Sequence, residues 1–262
     1  MKRRVFAAAV TATMMLSACS MDGNSEGSLT TDLTEGTEEI TASETAAVTT
    51  VETTEETVVE TTSETTAETT IFELNEDTEV GDLVSFGTYD QVGDYVDGPA
   101  PIDWIVLTEE DGKLLLLSRY IVDYKAYNED MVDITWEECT LRAWLNDEFY
   151  NAAFDASEQE QILTMTISNP DNMDYGTGTE GGNDTEDNIF LLSSDEVLEY
   201  LPTEQSRAVS GCDWWWLRSP GFRPNHASIV LTGGEITTHG HLVNLDCYDH
   251  GVRPAIWVEI DE

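Results

Sequence analysis

Three consecutive tryptophans, an arginine and a turn stand together in Asp213-Trp214-Trp215-Trp216-Leu217-Arg218-Ser219-Pro220-Gly221. Tryptophan is large and amphipathic, so such a cluster beside arginine either anchors a core or builds a stacking surface for a ligand. Alternate side chains of a strand point to opposite faces. The stretch therefore predicts Trp214, Trp216 and Arg218 on one face, as candidate ligand contacts with Trp214 the exposed ring, or else a strand buried on both sides.

Segments with strand character lie on both sides of this stretch. The apolar and alternating patterns predict strands at 80–87, 102–107, 113–118, 188–192, 227–231, 235–238 and 252–258. The Asp111-Gly112 pair between the second and third of these predicts a tight hairpin turn.

Helices are predicted in the middle of the chain. Three capping boxes are expected at 135–138, 157–160 and 193–196. A stripe at helical spacing after the first of them predicts core positions, namely Leu141, Trp144, Leu145, Phe149 and Ala152. Strands first, helices in the middle and strands last favour a single compact α+β domain over residues 80–262, with a mixed or antiparallel sheet and two to three helices.

The N-terminus has the pattern of an export signal. Lys2, Arg3 and Arg4 precede a short apolar run that ends in Leu-Ser-Ala before Cys19. This ending resembles the lipobox of bacterial lipoproteins, in which the cysteine becomes the lipid-modified first residue. We expect residues 1–18 to be a signal peptide and Cys19 to anchor the chain to the extracellular face of the cell membrane, because two or more acyl chains bind a bilayer firmly.

Residues 19–79 are predicted to be a disordered linker. Thr and Glu dominate this tract, which holds 17 acidic residues, no Lys or Arg and no aromatic residue before Phe72. Such a composition buries too little apolar surface to offset its ordering entropy.

The formal net charge of -42 limits the classes of partner. Nucleic-acid binding through the phosphate backbone needs a basic patch, so we expect no nucleic-acid partner. An acidic surface attracts cations and repels anions.

Two clusters are candidate ion sites. The polar loop 169–188 carries Asp171, Asp174, Asp184 and Asp187, whose hard oxygens suit calcium, with a solvated loop of Asx turns as the alternative.

All four histidines lie between His226 and His250. The alternation of His239-Gly240-His241 would place two imidazoles on one face of a strand, where Asp249, His250 or Cys247 could complete a zinc or copper site.

The disulfide pairing of the cysteines and the partners of two arginines each have more than one interpretation. With Cys19 lipidated, the odd count of Cys139, Cys212 and Cys247 leaves at least one thiol outside any disulfide within the chain, and Cys212 with Cys247 is the favoured pair. Arg218 and Arg253 can bind a ligand carboxylate, or make buried pairs with an aspartate such as Asp103 or Asp187, which is the favoured interpretation.

Six motifs in order resemble a family of bacterial surface domains catalogued as domain of unknown function 6273. They span about residues 80–260 and are found at 101–107, 139–146, 184–187, 190–193, 215–221 and 251–255. The last two also resemble the end of C-type-lectin-like folds, including formylglycine-generating domains. That likeness implies a compact α+β scaffold with a large loop region used for ligand or calcium binding.

No nucleophile elbow, phosphate loop or His-Glu-x-x-His motif is present, so catalysis is not favoured. The preferred hypothesis is a membrane-anchored lipoprotein whose domain binds an extracellular ligand, such as a carbohydrate or cell-wall polymer. The alternatives are a metal-binding protein or metal-dependent enzyme that uses the histidine cluster, and an adhesive module that binds another protein.

Overall fold

The computed structural model describes residues 72–260, except 76, 95, 177 and 246–249. The expected signal peptide, Cys19, most of the expected linker, Cys247 and Asp249 lie outside the described residues. The strands are β1 (Phe72–Glu73), β2 (Leu83–Tyr89), β3 (Ala100–Glu110), β4 (Lys113–Ser118), β5 (Asp123–Tyr124), β6 (Met165–Ile167), β7 (Thr185–Asp187), β8 (Ile189–Phe190), β9 (Trp214–Pro220), β10 (His226–Leu231), β11 (Ile236–Leu242), β12 (His250–Val252) and β13 (Ala255–Glu259). The α-helices are α1 (Thr140–Trp144), α2 (Tyr150–Ala153), α3 (Ala156–Gln161), α4 (Ser194–Tyr200) and α5 (Glu204–Arg207).

The strands form two large sheets and one small one. The first sheet has the order β1-β2-β3-β4-β13-β8, the second has the order β11-β10-β9-β12-β5, and β6 pairs with β7. Most pairs are antiparallel, while β1 with β2 and β12 with β9 are parallel. The predicted α+β class with mixed and antiparallel sheets is therefore confirmed, although the helices are shorter and more numerous than expected.

The hairpin between β3 and β4 turns where the sequence predicts. Glu110 pairs with Lys113, so the loop is the two residues Asp111 and Gly112. Both have positive φ, 52° and 77°, as a type I′ turn requires. Asp111 is the one non-glycine residue with positive φ among the described residues, which fits the tolerance of Asp for this region.

The tryptophan stretch forms β9, an inner strand of the second sheet. Strand β10 lies antiparallel on one side of it and β12 lies parallel on the other. Trp215 is in the core as predicted, and Trp216 is also fully buried, so this strand is covered on both faces. Trp214, at the start of the strand, is half-buried.

The two large sheets are joined by the residues between β12 and β13. Pro254 has no N–H to donate to a ladder, so the single strand predicted at 252–258 is divided into two. Arg253 is buried at this crossing, where its Nε donates to Ser118 O at 2.8 Å and its guanidinium lies over the Trp215 ring in a cation-π contact, 5.1 Å from the ring centroid.

The helix caps differ in part from the prediction. The box at Ser193 and Glu196 is confirmed at the start of α4. The second box is formed by Asp155 and Glu158, two residues before the expected position, so α3 begins earlier. The first is wrong: Thr135 precedes only a 3-10 turn (Trp136–Glu138) and makes no side-chain cap, while α1 begins after Cys139.

Residues 140–153 run as one helical stretch that contains a π-helical turn. The turn spans Leu145–Phe149 between α1 and α2. Buried positions along the stretch recur every four residues, at Leu141, Leu145, Phe149 and Ala153. The wider turn explains why Ala153 is buried and the predicted Ala152 is exposed, because π geometry shifts the later residues around the helix axis. Among the described residues, no helix has the length and apolarity to cross a bilayer.

Candidate ligand-binding groove

A groove of about 610 Å³ lies between the end of β5 and the helical stretch. Tyr124, Lys125 and Glu129 line one side, and Trp144 with Asp147 and Glu148 lines the other. A cavity of this size is in the range of small-molecule sites in proteins.

One backbone hydrogen bond and two bonds from a backbone N–H to a side chain fix the two sides of the groove to each other. Leu141 N donates to Tyr127 O at 3.2 Å, and Glu129 N donates to Thr140 Oγ1 at 3.0 Å. Asn128 Oδ1 accepts from Thr140 N at 3.1 Å. The groove is thus held by contacts between segments that are separated by more than ten residues in the chain.

Trp216 contacts the segment that carries Lys125. Its Nε1 donates to Lys125 O at 2.9 Å, and its ring meets Tyr127 edge-on at a centroid distance of 5.8 Å. Lys125 N also donates to His250 O, at 3.3 Å. The buried half of the tryptophan stretch therefore positions the lysine that lines the groove.

Trp144 supplies the main aromatic surface of the groove. One side of the ring packs on Phe149, with centroids 5.3 Å apart. The Lys125 ammonium lies 4.5 Å from the ring centroid in a cation-π contact. Trp144 follows the predicted stripe but is only half-buried, because it stands at the junction of α1 with the π-helical turn. Such turns are frequent at functional sites.

The charges of the groove are mainly negative. Glu129, Asp147 and Glu148 are exposed on its rim. Lys125, the single basic residue of the lining, lies 3.8 Å from the Asp123 carboxylate. The groove therefore offers acceptor oxygens beside an aromatic face, and it disfavours anions.

Trp214, a predicted ligand contact, stacks with two histidines. The His250 ring lies 3.8 Å from it and the His241 ring 4.7 Å, both nearly parallel to the indole. Its Nε1 is buried with no hydrogen-bond partner among the described residues. Two imidazoles pack on this indole and the residue is half-buried, so it is less accessible than the sequence predicts.

Arg218, another predicted contact, is engaged in the interior. It is 4% exposed and makes a two-pronged pair with Glu196, in which Nη2 donates to Oε1 at 2.7 Å. Nη1 also donates to Leu191 O, at 2.9 Å. The favoured carboxylate pair is present, with Glu196 in place of Asp103 or Asp187.

The guanidinium of Arg253 interacts with carbonyls and a ring instead of an acid. Burial lowers the pKa of this group to about 10, while Cys212 nearby acts in the opposite direction. Arg207 is buried in the same way, donating to Gly234 O and Leu201 O at 2.7 Å each.

The four histidines enter two separate ring clusters. His239 stacks on Phe222 at 3.8 Å, while His241 stacks on Trp214. The positive φ of 68° at Gly240 interrupts the strand alternation, which explains why these two imidazoles do not share one stack. Burial, with His239 adding to it, lowers the pKa values of His226 and His241. No group of three or more His, Cys, Asp or Glu side chains suited to a metal ion is found in the described part of the chain.

The four aspartates of the calcium hypothesis lie in different environments. Asp187 is buried and accepts hydrogen bonds from Arg142 Nε at 2.6 Å, Trp136 Nε1 at 2.9 Å and Thr185 Oγ1 at 2.8 Å. Asp171 and Asp174 line a smaller cavity of about 180 Å³. Asp184 is exposed.

Cys139 is a buried thiol that caps α1. Its Sγ accepts from Arg142 N at 3.4 Å, and burial raises the pKa of the thiol to about 12. A thiol with such a pKa is a weak nucleophile at neutral pH. The favoured pairing of Cys212 with Cys247 stays a prediction.

A family profile described as domain of unknown function, DUF6273, matches residues 111–260. The chain belongs to this family. Comparison with curated proteins and with solved structures found no match. The DUF6273 match begins in the hairpin turn at Asp111, yet β2 and β3 complete the first sheet before it. The groove lies wholly within the matched residues, whereas the C-type-lectin-like likeness stays a prediction.

Sequence reasoning missed the groove as a site. Its lining comes from residues 124–129 and 140–148, for which the sequence pattern predicts either a core position or no role. One signal was available: Asp147 and Glu148 follow Trp144 by three and four residues, a spacing that places them beside it on a helix, so an acidic rim next to an aromatic residue was predictable.

Proposed function

We propose that this chain is a surface lipoprotein whose domain binds a neutral, hydroxyl-rich ligand in the groove, such as a carbohydrate or a neutral cell-wall polymer. The observation that carries the proposal is the half-buried Trp144 ring beside exposed carboxylates. An aromatic face packs on the C–H surface of a sugar ring, and carboxylate oxygens accept hydrogen bonds from its hydroxyl groups.

The charge of the groove limits the ligand class. Three carboxylates against one lysine repel phosphate-rich or uronic-acid polymers. A neutral polymer brings hydroxyl donors to the excess of acceptors without this penalty. The hydrogen bonds from Leu141 N to Tyr127 O and from Glu129 N to Thr140 Oγ1 hold the two sides in place and so reduce the ordering cost on binding.

Lys125 covers the open face of Trp144 and must move when a sugar stacks there. Its side chain is about one third exposed, so it can swing into solvent at a small cost. This contact gives the proposal a distinctive test, because removing the lysine charge should help a neutral ligand and harm an anionic one.

The experiment is a broad array of glycans and cell-wall polymers probed with the chain. We expect binding to neutral glycans by the wild type, a loss of at least about tenfold in Trp144→Ala, and equal or stronger binding in Lys125→Met. Val132→Ala is the matched control, since this exposed residue follows Glu129 by three positions in the chain and does not line the groove. Absence of any neutral glycan signal, or loss of binding in Lys125→Met, contradicts the proposal.

The membrane anchor rests on Lys2, Arg3, Arg4 and the Leu-Ser-Ala-Cys pattern. Metabolic labelling with a fatty acid should mark the wild type and not Cys19→Ala. The variant should leave the membrane fraction, since it lacks the acyl chains that hold the protein to the bilayer. Membrane retention of unlabelled Cys19→Ala would contradict the anchor.

A further inference from the structure

Another cavity, of about 350 Å³, lies at the start of β3 and shares no lining residue with the groove. We call it the Gln91 cavity, after the amide on its wall. Gln91 is 4% exposed and its Oε1 has no hydrogen-bond partner among the described residues. A buried acceptor without a donor costs about 1–3 kcal/mol, so this atom needs an explanation.

The hydrogen bonds of the amide nitrogen, Nε2, fix the orientation of the Gln91 amide. Nε2 donates to Asp94 Oδ2 at 3.1 Å and to Pro101 O at 3.2 Å. Both partners are pure acceptors, so a flipped amide would place oxygen against oxygen. Oε1 is therefore the unpaired acceptor of a residue that lines the cavity, and a donor from a ligand would satisfy it.

Two carboxylates line the same cavity. Asp94 holds the Gln91 amide and accepts from Val96 N at 2.9 Å, while Asp103 pairs with Arg119 at 3.3 Å. Each carboxylate has lone pairs to spare for a further donor. Two negative charges and the one positive charge of Arg119 leave a net charge of about -1, which suits a single cationic group.

The other walls point to an organic cation. Val96 and Pro101 are aliphatic, and Tyr120 contributes an aromatic side chain. The space exceeds what a bare ion needs, since one water fills about 30 Å³. We propose that the Gln91 cavity binds a small organic cation through a primary ammonium group, which donates to Gln91 Oε1, Asp94 and Asp103.

Burial is the largest influence on Asp103, and it raises the pKa of this carboxyl against the opposing effect of Arg119. Asp94 raises it further. A bound ammonium group would act against both influences, because a nearby positive charge favours the ionised carboxylate.

The test is saturation-transfer NMR on the full chain with propylammonium as the probe, at physiological ionic strength to screen diffuse attraction. We expect transfer to propylammonium, none to 1-propanol, and about tenfold weaker binding in Asp94→Asn. Asp97→Asn is the matched control, since this exposed aspartate in the same loop does not line the cavity. Urea unfolding midpoints close to that of the wild type establish that both variants are folded.

Three results would overturn the proposal. The first is equal transfer to the alcohol and the amine. The second is equal weakening by Asp94→Asn and Asp97→Asn, which indicates diffuse attraction to the acidic surface. The third is displacement of propylammonium by stoichiometric calcium chloride, which indicates a metal site.

Discussion

Replacement of Asp187 by alanine should destabilise the domain by about 3 kcal/mol. The change removes the acceptor for two buried donors, Trp136 Nε1 and Thr185 Oγ1, and for the Arg142 guanidinium. An unsatisfied buried donor costs about 1–3 kcal/mol, and breaking a buried ion pair about 3–5 kcal/mol. We take a value at the low end because Arg142 is 23% exposed and keeps a bond to Glu137 O at 2.9 Å.

Urea unfolding followed by tryptophan fluorescence measures this effect. With a slope of about 2 kcal/mol/M, the midpoint should fall by about 1.5 M. Asp184→Ala is the matched control, since that residue is exposed in the same segment, and it should change stability by less than about 0.5 kcal/mol. An unchanged midpoint in Asp187→Ala would refute the reasoning. A calcium-dependent rise of the wild-type midpoint that is absent in Asp187→Ala would show that this carboxylate also binds the ion.

Three further predictions concern the second sheet. Glu196→Gln leaves the Arg218 charge buried without its partner and should lower the unfolding free energy by about 2 kcal/mol. This is less than the loss expected for a fully buried pair, because Glu196 is 27% exposed. An unchanged urea midpoint would contradict the prediction. Gly240→Ala should lower the unfolding free energy by at least about 2 kcal/mol, since φ is 68° and the new Cβ would lie 2.2 Å from Ala227 O. The control Gly233→Ala meets open space and should be nearly neutral in the same assay. Burial lowers the native pKa of His226 and of His241 below 6.5, so the unfolded chain takes up protons first as pH falls. The stability that these neutral rings contribute is present above pH 6.5 and is lost on acidification. A double His→Gln variant at these positions should therefore show a shallower fall of unfolding free energy between pH 7 and 5 than the wild type. Parallel curves for the two proteins would count against this prediction.

The parts of the fold that follow from local rules are predicted by the sequence. The Asp111-Gly112 turn needs positive φ at both positions, and Asp and Gly are residues that adopt it. Strand alternation correctly places Trp215 in the core. The cap of α4 follows from the spacing of Ser193 and Glu196.

Other features depend on contacts that a local pattern does not contain. The π-helical turn has no sequence signature, and it decides that Ala153 replaces Ala152 in the core and that Trp144 lines the groove. Asp155 replaces Ser157 as the cap of α3, since a carboxylate two residues earlier binds two backbone N–H groups.

The candidate site is the least predictable part, because its two sides meet only in the folded protein. The sequence singled out the tryptophan triplet, and the structure gives most of it a supporting role. Trp216 holds Lys125 O, and Trp214 stacks with His241 and His250. The ring available to a ligand is Trp144, which the helical period had assigned to the core.

The most direct test of the groove is fluorine NMR on the chain labelled with 5-fluorotryptophan, titrated with the neutral glycan that gives the strongest array signal. The seven tryptophans can be assigned by single Trp→Phe variants. We predict that the Trp144 resonance moves with glycan concentration while the Trp214 and Trp216 resonances stay in place. Movement of Trp214 with Trp144 unchanged would contradict the groove as the binding site.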